Sequence, residues 1–230
     1  MSSTRLPGKV LAELAGAPMI LRQIERLRRS EHLRQIVVAT SDQPTDDPLV
    51  ACLDAAGVPV FRGSLDDVLS RFLGAIEAFG PVRTVVRLTA DCPLADPELI
   101  DETLKLHLRS GADYTSNTPA RRSFPKGLDV EIFEAVALKV AASETSDPYD
   151  HEHVTPFLYR HPNRFQIAGL EQAAEDGDVR WTVDRPDDLE FVRAVYDGLH
   201  AANPAFTSAD VRAFVSARPD LIHLGGDRRA

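Results

Sequence analysis

One turn and two strand-ending stretches carry the residue types that chemistry needs. The turn is Arg5-Leu6-Pro7-Gly8-Lys9. Proline presets its own φ, and glycine accepts the positive φ that a type II turn needs next. Such a turn exposes backbone N–H groups in a concavity that binds anions. Arg5 can fork onto phosphate oxygens, and Lys9 adds a mobile point charge. The plain alternative is a surface turn with two solvated cations. Lysine is scarce, four of the 26 lysines and arginines, which argues against Lys9 as surface filler. The two stretches are residues 87–94 and 181–190, and each ends a strand-like run with an aspartate, Asp91 and Asp184. A carboxylate where a buried strand ends needs a metal, a cation or an exposed setting. A capping aspartate in a turn is the alternative.

The elements that must position these residues follow from hydrophobic periodicity. Residues 35–40, 58–61 and 82–89 are short apolar runs rich in β-branched side chains. Residues 18–29, 46–56, 66–79 and 96–110 carry helical spacing or start signals. Alternating strands and helices imply βαβ units and a parallel sheet. Ligands on such sheets gather at the carboxyl ends of the strands, where Thr40 and Asp91 both sit. The second half is less regular. Strands are expected at 112–115, 128–133, 165–168 and 180–183, and helices at 134–142, 151–159, 186–200 and 208–217. Residues 118–127 read as a polar, basic loop and 225–230 as a frayed tail. Asp129 and Glu131 share one face of a period-two strand, either a solvated face or a ligand contact. Arg22, Arg26, Arg28 and Arg29 read as the solvated side of the first helix. Asp187 and Asp188 read as caps that meet a helix dipole.

Composition bounds the answer. The chain has 230 residues, 43% hydrophobic and 27% charged, enough for one large α/β domain with a sizeable core. A net charge of −9 and a pI near 5.2 argue against nucleic acid or anionic membranes as partners. Cys52 and Cys92 are too few for a disulfide framework and read as small buried residues in a reducing compartment. The polar N-terminus shows no signal peptide and no run is long enough to span a membrane, so a cytoplasmic protein is expected.

Residues 3–9, Ser-Thr-Arg-Leu-Pro-Gly-Lys, resemble the S-x-R-L-P-G-K loop of the sugar-activating cytidylyltransferases. That group includes the CMP-sialic acid and CMP-Kdo synthetases, and the likeness is greatest to its spore-coat-polysaccharide-type branch. Arg87-Leu88-Thr89-Ala90-Asp91-Cys92-Pro93-Leu94 is similar to the family's R-x-T-x-D-x-P-L, and Thr182-Val183-Asp184-Arg185-Pro186 to its T-V-D-x-P, with Arg185 where threonine is usual. Gly127-Leu128-Asp129-Val130-Glu131 resembles G-x-D-V-E, and Glu152-His153-Val154-Thr155-Pro156 matches E-H-V-T-P. The resemblance runs from Ser3 to about Tyr196, with the motifs in family order. It implies a Rossmann-like, GT-A-like nucleotidyltransferase fold, a mostly parallel central sheet flanked by helices, in one domain. It implies CTP and a small sugar as substrates, the sugar an acidic one of eight or nine carbons, and a possible homodimer. Ser3, Arg5, Gly8, Lys9, Thr40, Ser41, Asp67, Arg71 and Arg87 would meet the nucleotide. Gly127, Asp129, Glu131 and His153 would meet the sugar. Asp91 and Asp184 would hold Mg²⁺, and with Arg5 and Lys9 they form the expected catalytic set. Neither cysteine is needed for this chemistry.

Two other readings stand beside this one: a guanylyl- or uridylyltransferase on the same fold, and a catalytically inert homologue. In the family an apolar strand and an alanine-arginine pair precede the loop, then methionine and one small residue; Met1 and Ser2 occupy those last two places here, so the chain begins inside the motif. The resemblance therefore predicts a missing first central strand and two rows of unpaired backbone groups. On that expectation the natural start lies upstream, and this form is truncated, unstable or weakly active.

Overall fold

The Pro7–Gly8 turn forms as its residue types require. Gly8 takes φ 71° and the Lys9 N–H donates to the Leu6 carbonyl at 3.3 Å, closing the turn. The computed structural model describes residues 3, 5–118 and 121–229. Ser2 and Thr4 of the turn region, residues 119 and 120 of the basic loop and residue 230 of the tail lie outside the described residues. A single 3-10 turn, Lys9–Leu11, leads into a small hairpin of β1 (Glu13–Leu14) and β2 (Ala17–Pro18). Helix α1 (Met19–Leu27) then buries Met19, Ile20, Ile24 and Leu27. Its arginines are not all solvated as expected. Arg26 is buried, with Nε donating to the Ala95 carbonyl and Nη1 to the Phe206 carbonyl, and its guanidinium lies over the Phe206 ring.

Strands and helices then alternate: β3 (Val38–Ser41), α2 (Asp47–Ala55), β4 (Val60–Gly63), α3 (Val68–Phe79), β5 (Thr84–Arg87) and α4 (Pro97–Ser110). β3 and β4 pair in parallel, with Thr40 opposite Arg62. The second half adds β6 (Tyr114–Ser116), β7 (Glu131–Glu134), α5 (Ala135–Glu144), α6 (Pro148–His153), α7 (Pro156–Arg160), β8 (Ile167–Gly169), α8 (Pro186–Leu199), α9 (Ser208–Ser216) and α10 (Pro219–Ile222). The larger sheet runs β5-β7-β6-β8, with β7 antiparallel to both neighbours and β6 parallel to β8. The architecture is α/β as expected, but this sheet is mixed. Among the described residues, β3 has a strand partner on β4 alone and β5 on β7 alone, so the sheet is in two pieces.

Ile132 and Phe133 show how the larger sheet is covered on both faces, since neighbouring strand residues point to opposite sides. Ile132 belongs to the core cluster that holds Leu94, Trp181, Val183 and Phe191, and Phe133 to the one that holds Tyr114, Leu138 and Phe157. No helix among the described residues is long and apolar enough to cross a membrane.

Four expected elements come out differently, each for a visible reason. The strand expected from 128 starts at Glu131, because the Asn117 side chain stands in for a strand partner upstream. Its Nδ2 donates to the Leu128 carbonyl at 2.7 Å, and its Oδ1 accepts from the Val130 N–H at 2.8 Å. The helix expected over 151–159 breaks in two at Val154, which takes φ 75°. Residues 180–183 form no ladder, since their N–H groups go to three separate segments. Arg180 donates to the Arg228 carbonyl, Trp181 to Lys126 and Val183 to Asp91. The tail is not frayed: Arg229 is fully buried against α8.

Asn117 is itself fully buried. Asn117→Ala would leave a buried N–H and a buried carbonyl without partners, each worth about 1–3 kcal/mol. The expected loss, read from urea unfolding, is about 2–6 kcal/mol.

Candidate active site

The turn delivers Lys9 to both aspartates, which the sequence placed at strand ends; Asp91 lies in the turn after β5, and the stretch before Asp184 forms no strand. The Lys9 ammonium donates to Asp91 Oδ2 at 3.1 Å, to Asp184 Oδ1 at 3.0 Å and to the Val183 carbonyl at 2.7 Å. Arg5 Nη2 lies 3.2 Å from the same Asp184 oxygen, on a largely exposed side chain. The two aspartates are fixed to each other through backbone. The Val183 N–H and the Thr182 hydroxyl both donate to the Asp91 carbonyl, at 2.8 and 3.2 Å. The Thr89 hydroxyl donates to Asp91 Oδ1 at 2.7 Å. Ser3 supports the turn by accepting from the Leu6 N–H.

A second set of charges stands behind Asp184. Arg180 Nη2 donates to its Oδ2 at 2.9 Å and also to Asp188 Oδ2 at 2.9 Å. Asp188 is fully buried and accepts further from the Asp184 and Arg185 N–H groups, so it caps α8 as expected. Burial works against the Asp184 charge. The bonds from Arg180 and Lys9 outweigh it and hold the carboxyl below the usual carboxylate range. Asp188 is lowered by the same balance, burial set against Arg180, backbone N–H groups and Arg229.

The donor set suits one kind of metal. Among the described residues no group of three or more His, Cys, Asp or Glu side chains gathers, so the protein offers two carboxylates here. They already converge on a single cation, the Lys9 ammonium. A hard ion that fills its remaining positions with phosphate oxygens and water fits such a pair.

Beside Asp91 opens a cavity of about 660 Å³ whose walls include Arg87, Asp129, Glu131, Tyr149, His153 and Tyr159. Thr89 lines it as well, which joins the cavity to Asp91. Glu131 is held by three donors: Arg87, the Tyr114 hydroxyl at 2.8 Å and the Thr155 hydroxyl. Arg122 clamps Asp129 with both guanidinium Nη atoms. His153 stacks edge-on against Tyr149, 4.2 Å between centroids. The structure thus places Arg87 in this wall, bonded to Glu131, rather than on the Lys9 side. Gly127 sits just behind, at φ 105°. A Cβ there would come within 2.6 Å of the Thr182 nitrogen, so glycine is what lets the two backbones approach.

The remaining expected nucleotide residues form a separate group near β3. Thr40 and Ser41 hydroxyls both donate to Asp46 Oδ2, at 2.5 and 2.7 Å. Asp67 caps α3 through the Ser70 N–H and pairs with His151 at 3.0 Å. Arg71 donates to the Ser64 carbonyl and feels the charges of Asp46 and Asp42. Their side-chain bonds go to Asp46, Ser70, His151 and Ser64 rather than to the Lys9 cluster.

Several participants escaped the sequence reading: Arg180, Arg122, Tyr114 and Arg229. Arg180 had a signal in hindsight, since it precedes Asp184 by four residues and Asp188 by eight. Arg229 had none. Cys52 is half-buried and Cys92 buried, and neither is bonded to the other. Burial and the neighbouring Asp91 push the Cys92 thiol well above its ordinary value. It therefore stays protonated at neutral pH, and thiolate is the reactive form. Cys92 is expected to resist iodoacetamide at pH 7.5 in the folded chain and to react on unfolding. Rapid labelling of folded protein at Cys92, read by mass spectrometry, would contradict this.

Comparison with known proteins gives consistent matches. A family model described as cytidylyltransferase matches residues 1–206. The spore coat polysaccharide biosynthesis protein SpsF of Bacillus subtilis is 34% identical over 227 residues, covering 96% of this chain and 92% of that protein. A 3-deoxy-manno-octulosonate cytidylyltransferase of Rhizobium etli is 27% identical over 210 residues, covering 86% of this chain and 81% of that one. Among solved structures, a cytidylyltransferase from Leptospira borgpetersenii superposes with a TM-score of 0.90 at 29% identity, covering 96% of this chain and 92% of that one. A CMP:2-keto-3-deoxy-manno-octonic acid synthetase complexed with CTP superposes with a TM-score of 0.65 at 18% identity, covering 86% and 95%, which is a likeness of fold.

Proposed function

The chain belongs to the cytidylyltransferase family, a family of nucleotidyltransferase enzymes, and from that premise we propose the reaction it performs. It transfers CMP from CTP to a sugar and releases pyrophosphate, for surface polysaccharide or glycan biosynthesis, with Mg²⁺ held by Asp91 and Asp184. The observation that carries this reading is the Lys9 ammonium shared by those two carboxylates, on a turn built to receive anions.

A sugar hydroxyl in the cavity beside Asp91 attacks the α-phosphorus of CTP. The bond from that phosphorus to the β-phosphate oxygen breaks, pyrophosphate leaves and the hydroxyl proton is released. Mg²⁺, when bound, supplies neutralisation of phosphate charge. Arg5, exposed at the mouth, meets the polyphosphate with its guanidinium fork. Lys9 has a flexible four-carbon stem, so its ammonium can pass from the carboxylates to the phosphates as these arrive. Both cations then face the charge that grows on the leaving group. No side chain forms a covalent intermediate, in keeping with a buried Cys92 whose thiol is pushed up by burial and Asp91.

Sugar acids are the proposed acceptors, the class named for the Rhizobium relative, with Arg87 and His153 as the cavity groups able to meet a carboxylate. A neutral or amino sugar is the second reading, favoured by the carboxylates of Asp129 and Glu131 in the same wall. Pyrophosphate release with CTP, GTP and UTP, each offered with sugar acids and neutral sugars, separates these readings. Activity with CTP and a sugar acid, lost on chelation of divalent metal, is the expected result. Preference for GTP or UTP would move the chain to another nucleotide, and no release with any pair would mark an inert homologue. Asp91→Asn is expected to lower turnover by about a hundredfold or more with its melting temperature little changed. Turnover near that of the unaltered chain would remove Asp91 from the catalytic set.

A further inference from the structure

The tail that the sequence marked as frayed closes over the back of the site. Gly225, at φ 67°, turns the chain tightly against α8. A Cβ there would fall 1.5 Å from Asp187 Oδ2. Asp227 then pairs with Arg185, and the Arg228 carbonyl accepts from the Arg180 N–H. Arg229 enters the core. Its N–H donates to the Ile222 carbonyl, and its own carbonyl accepts from the indole of Trp181. Its guanidinium lies over the Phe191 ring, 4.9 Å from the centroid.

Both terminal nitrogens of that guanidinium reach the charged residues of α8's approach, and Nη2 is shared with the Leu224 carbonyl at 3.2 Å. Nη1 donates to the Arg180 carbonyl at 2.8 Å, and Nη2 donates to Asp188 Oδ1 at 2.9 Å. Asp188 Oδ1 also accepts from Arg180 Nε at 3.0 Å. Arg180 Nη2 in turn donates to Asp184 Oδ2. Four charged side chains therefore run in series from the tail to the proposed metal ligand: Arg229, Asp188, Arg180, Asp184. Arg229 grips both its neighbours, Asp188 by the side chain and Arg180 by the carbonyl.

We propose that Arg229 is a positioning residue for Asp184, fixing through Asp188 and Arg180 the carboxylate orientation that receives the metal. Two features favour this over simple tail anchoring. An aliphatic side chain would pack on Phe191 without burying a charge, and burying a charge is costly unless it is paired. The pairing chosen leads to the one aspartate of α8's approach that also faces Lys9 and Arg5. The residue lies beyond the part of the chain that the family model matches. The inference rests on the proposed metal role of Asp91 and Asp184.

The test is Mn²⁺ titrated into the full chain with CTP present, bound metal being read by water-proton relaxation. Arg229→Gln, Arg229→Lys and Leu221→Ala are compared with the unaltered chain, and the melting temperature of each is taken alongside. Leu221 is buried in the apolar core and has no hydrogen bond or ion pair to the charged series, so its variant is the control for lost stability. Arg229→Gln is expected to weaken Mn²⁺ binding about tenfold, the usual scale for groups that orient a metal ligand. Arg229→Lys keeps the cation and loses the fork, and should fall between the two. Leu221→Ala should melt lower and bind Mn²⁺ as the unaltered chain does. Emission from Trp181, the one tryptophan, reports whether the tail remains docked in each variant. Should Arg229→Gln fail to fold, Arg229→Lys decides: several-fold weaker Mn²⁺ binding supports positioning, and unchanged binding overturns it. Equal Mn²⁺ affinity in all folded forms, with only the melting temperatures lowered, would likewise overturn it while leaving the metal site standing. Absence of saturable Mn²⁺ binding in the unaltered chain would overturn the metal reading itself, and this inference with it.

Discussion

The Lys9 ammonium is the point on which the rest of the site depends. It joins carboxylates 82 and 175 residues away along the chain and a carbonyl 174 residues away. Two carboxylates held mostly out of water repel each other, and each needs compensating charge. Their neighbourhood must then be electropositive, which is also what a polyphosphate needs. The Pro7–Gly8 turn, the bonds from Thr182 and Val183 to the Asp91 carbonyl and the arginines around Asp184 all serve that one electrostatic condition. The same condition explains why residues 180–183 form no ladder. Their backbone is committed to three segments at once, and that is what brings Asp91, Lys126 and the tail to one place.

How much of this could be read in the sequence depended on the range of the interaction. Gly8 in the left-handed region, the helices over α1 to α4 and α8, and aspartates at the ends of apolar runs are local signals, and the structure shows each. The break at Val154 has a local signal in Pro156, which opens α7 and disfavours a helix running through it, and a distant contributor in Thr155, which donates to Glu131, 24 residues back. Asp129 left the strand because Asn117 captured the backbone on either side of it, and no periodicity records that. Arg26 and Arg229 failed in the same way. A charged side chain is expected in water unless its partners are known, and here those partners are carbonyls and a carboxylate from distant segments. Gly127 is a middle case. Its identity announced a special position, but only the approach of Trp181 and Thr182 shows which.

The carboxylates in this region fall into two groups by how they are held, and that division bears on which can exchange partners. Asp188 accepts from two arginines and two backbone N–H groups, all of them buried or nearly so. Glu131 accepts from an arginine, a tyrosine and a threonine. Releasing either would strand several donors at once, a cost of about 1–3 kcal/mol for each group left unpaired. Asp91 is different: its Oδ1 accepts from the Thr89 hydroxyl and weakly from the Cys92 thiol, and its Oδ2 accepts from a lysine that can move. Asp184 is divided between the two conditions. Its Oδ2 is anchored by Arg180, while its Oδ1 faces only Lys9 and the exposed Arg5. Asp91 Oδ2 and Asp184 Oδ1 are therefore the oxygens whose cationic partners are the flexible Lys9 and, for Asp184, the exposed Arg5, rather than the fixed arginine and backbone donors that hold Asp188. The fixed carboxylates hold the frame, and the exchangeable pair is presented where the Pro7–Gly8 turn and the cavity beside Asp91 meet.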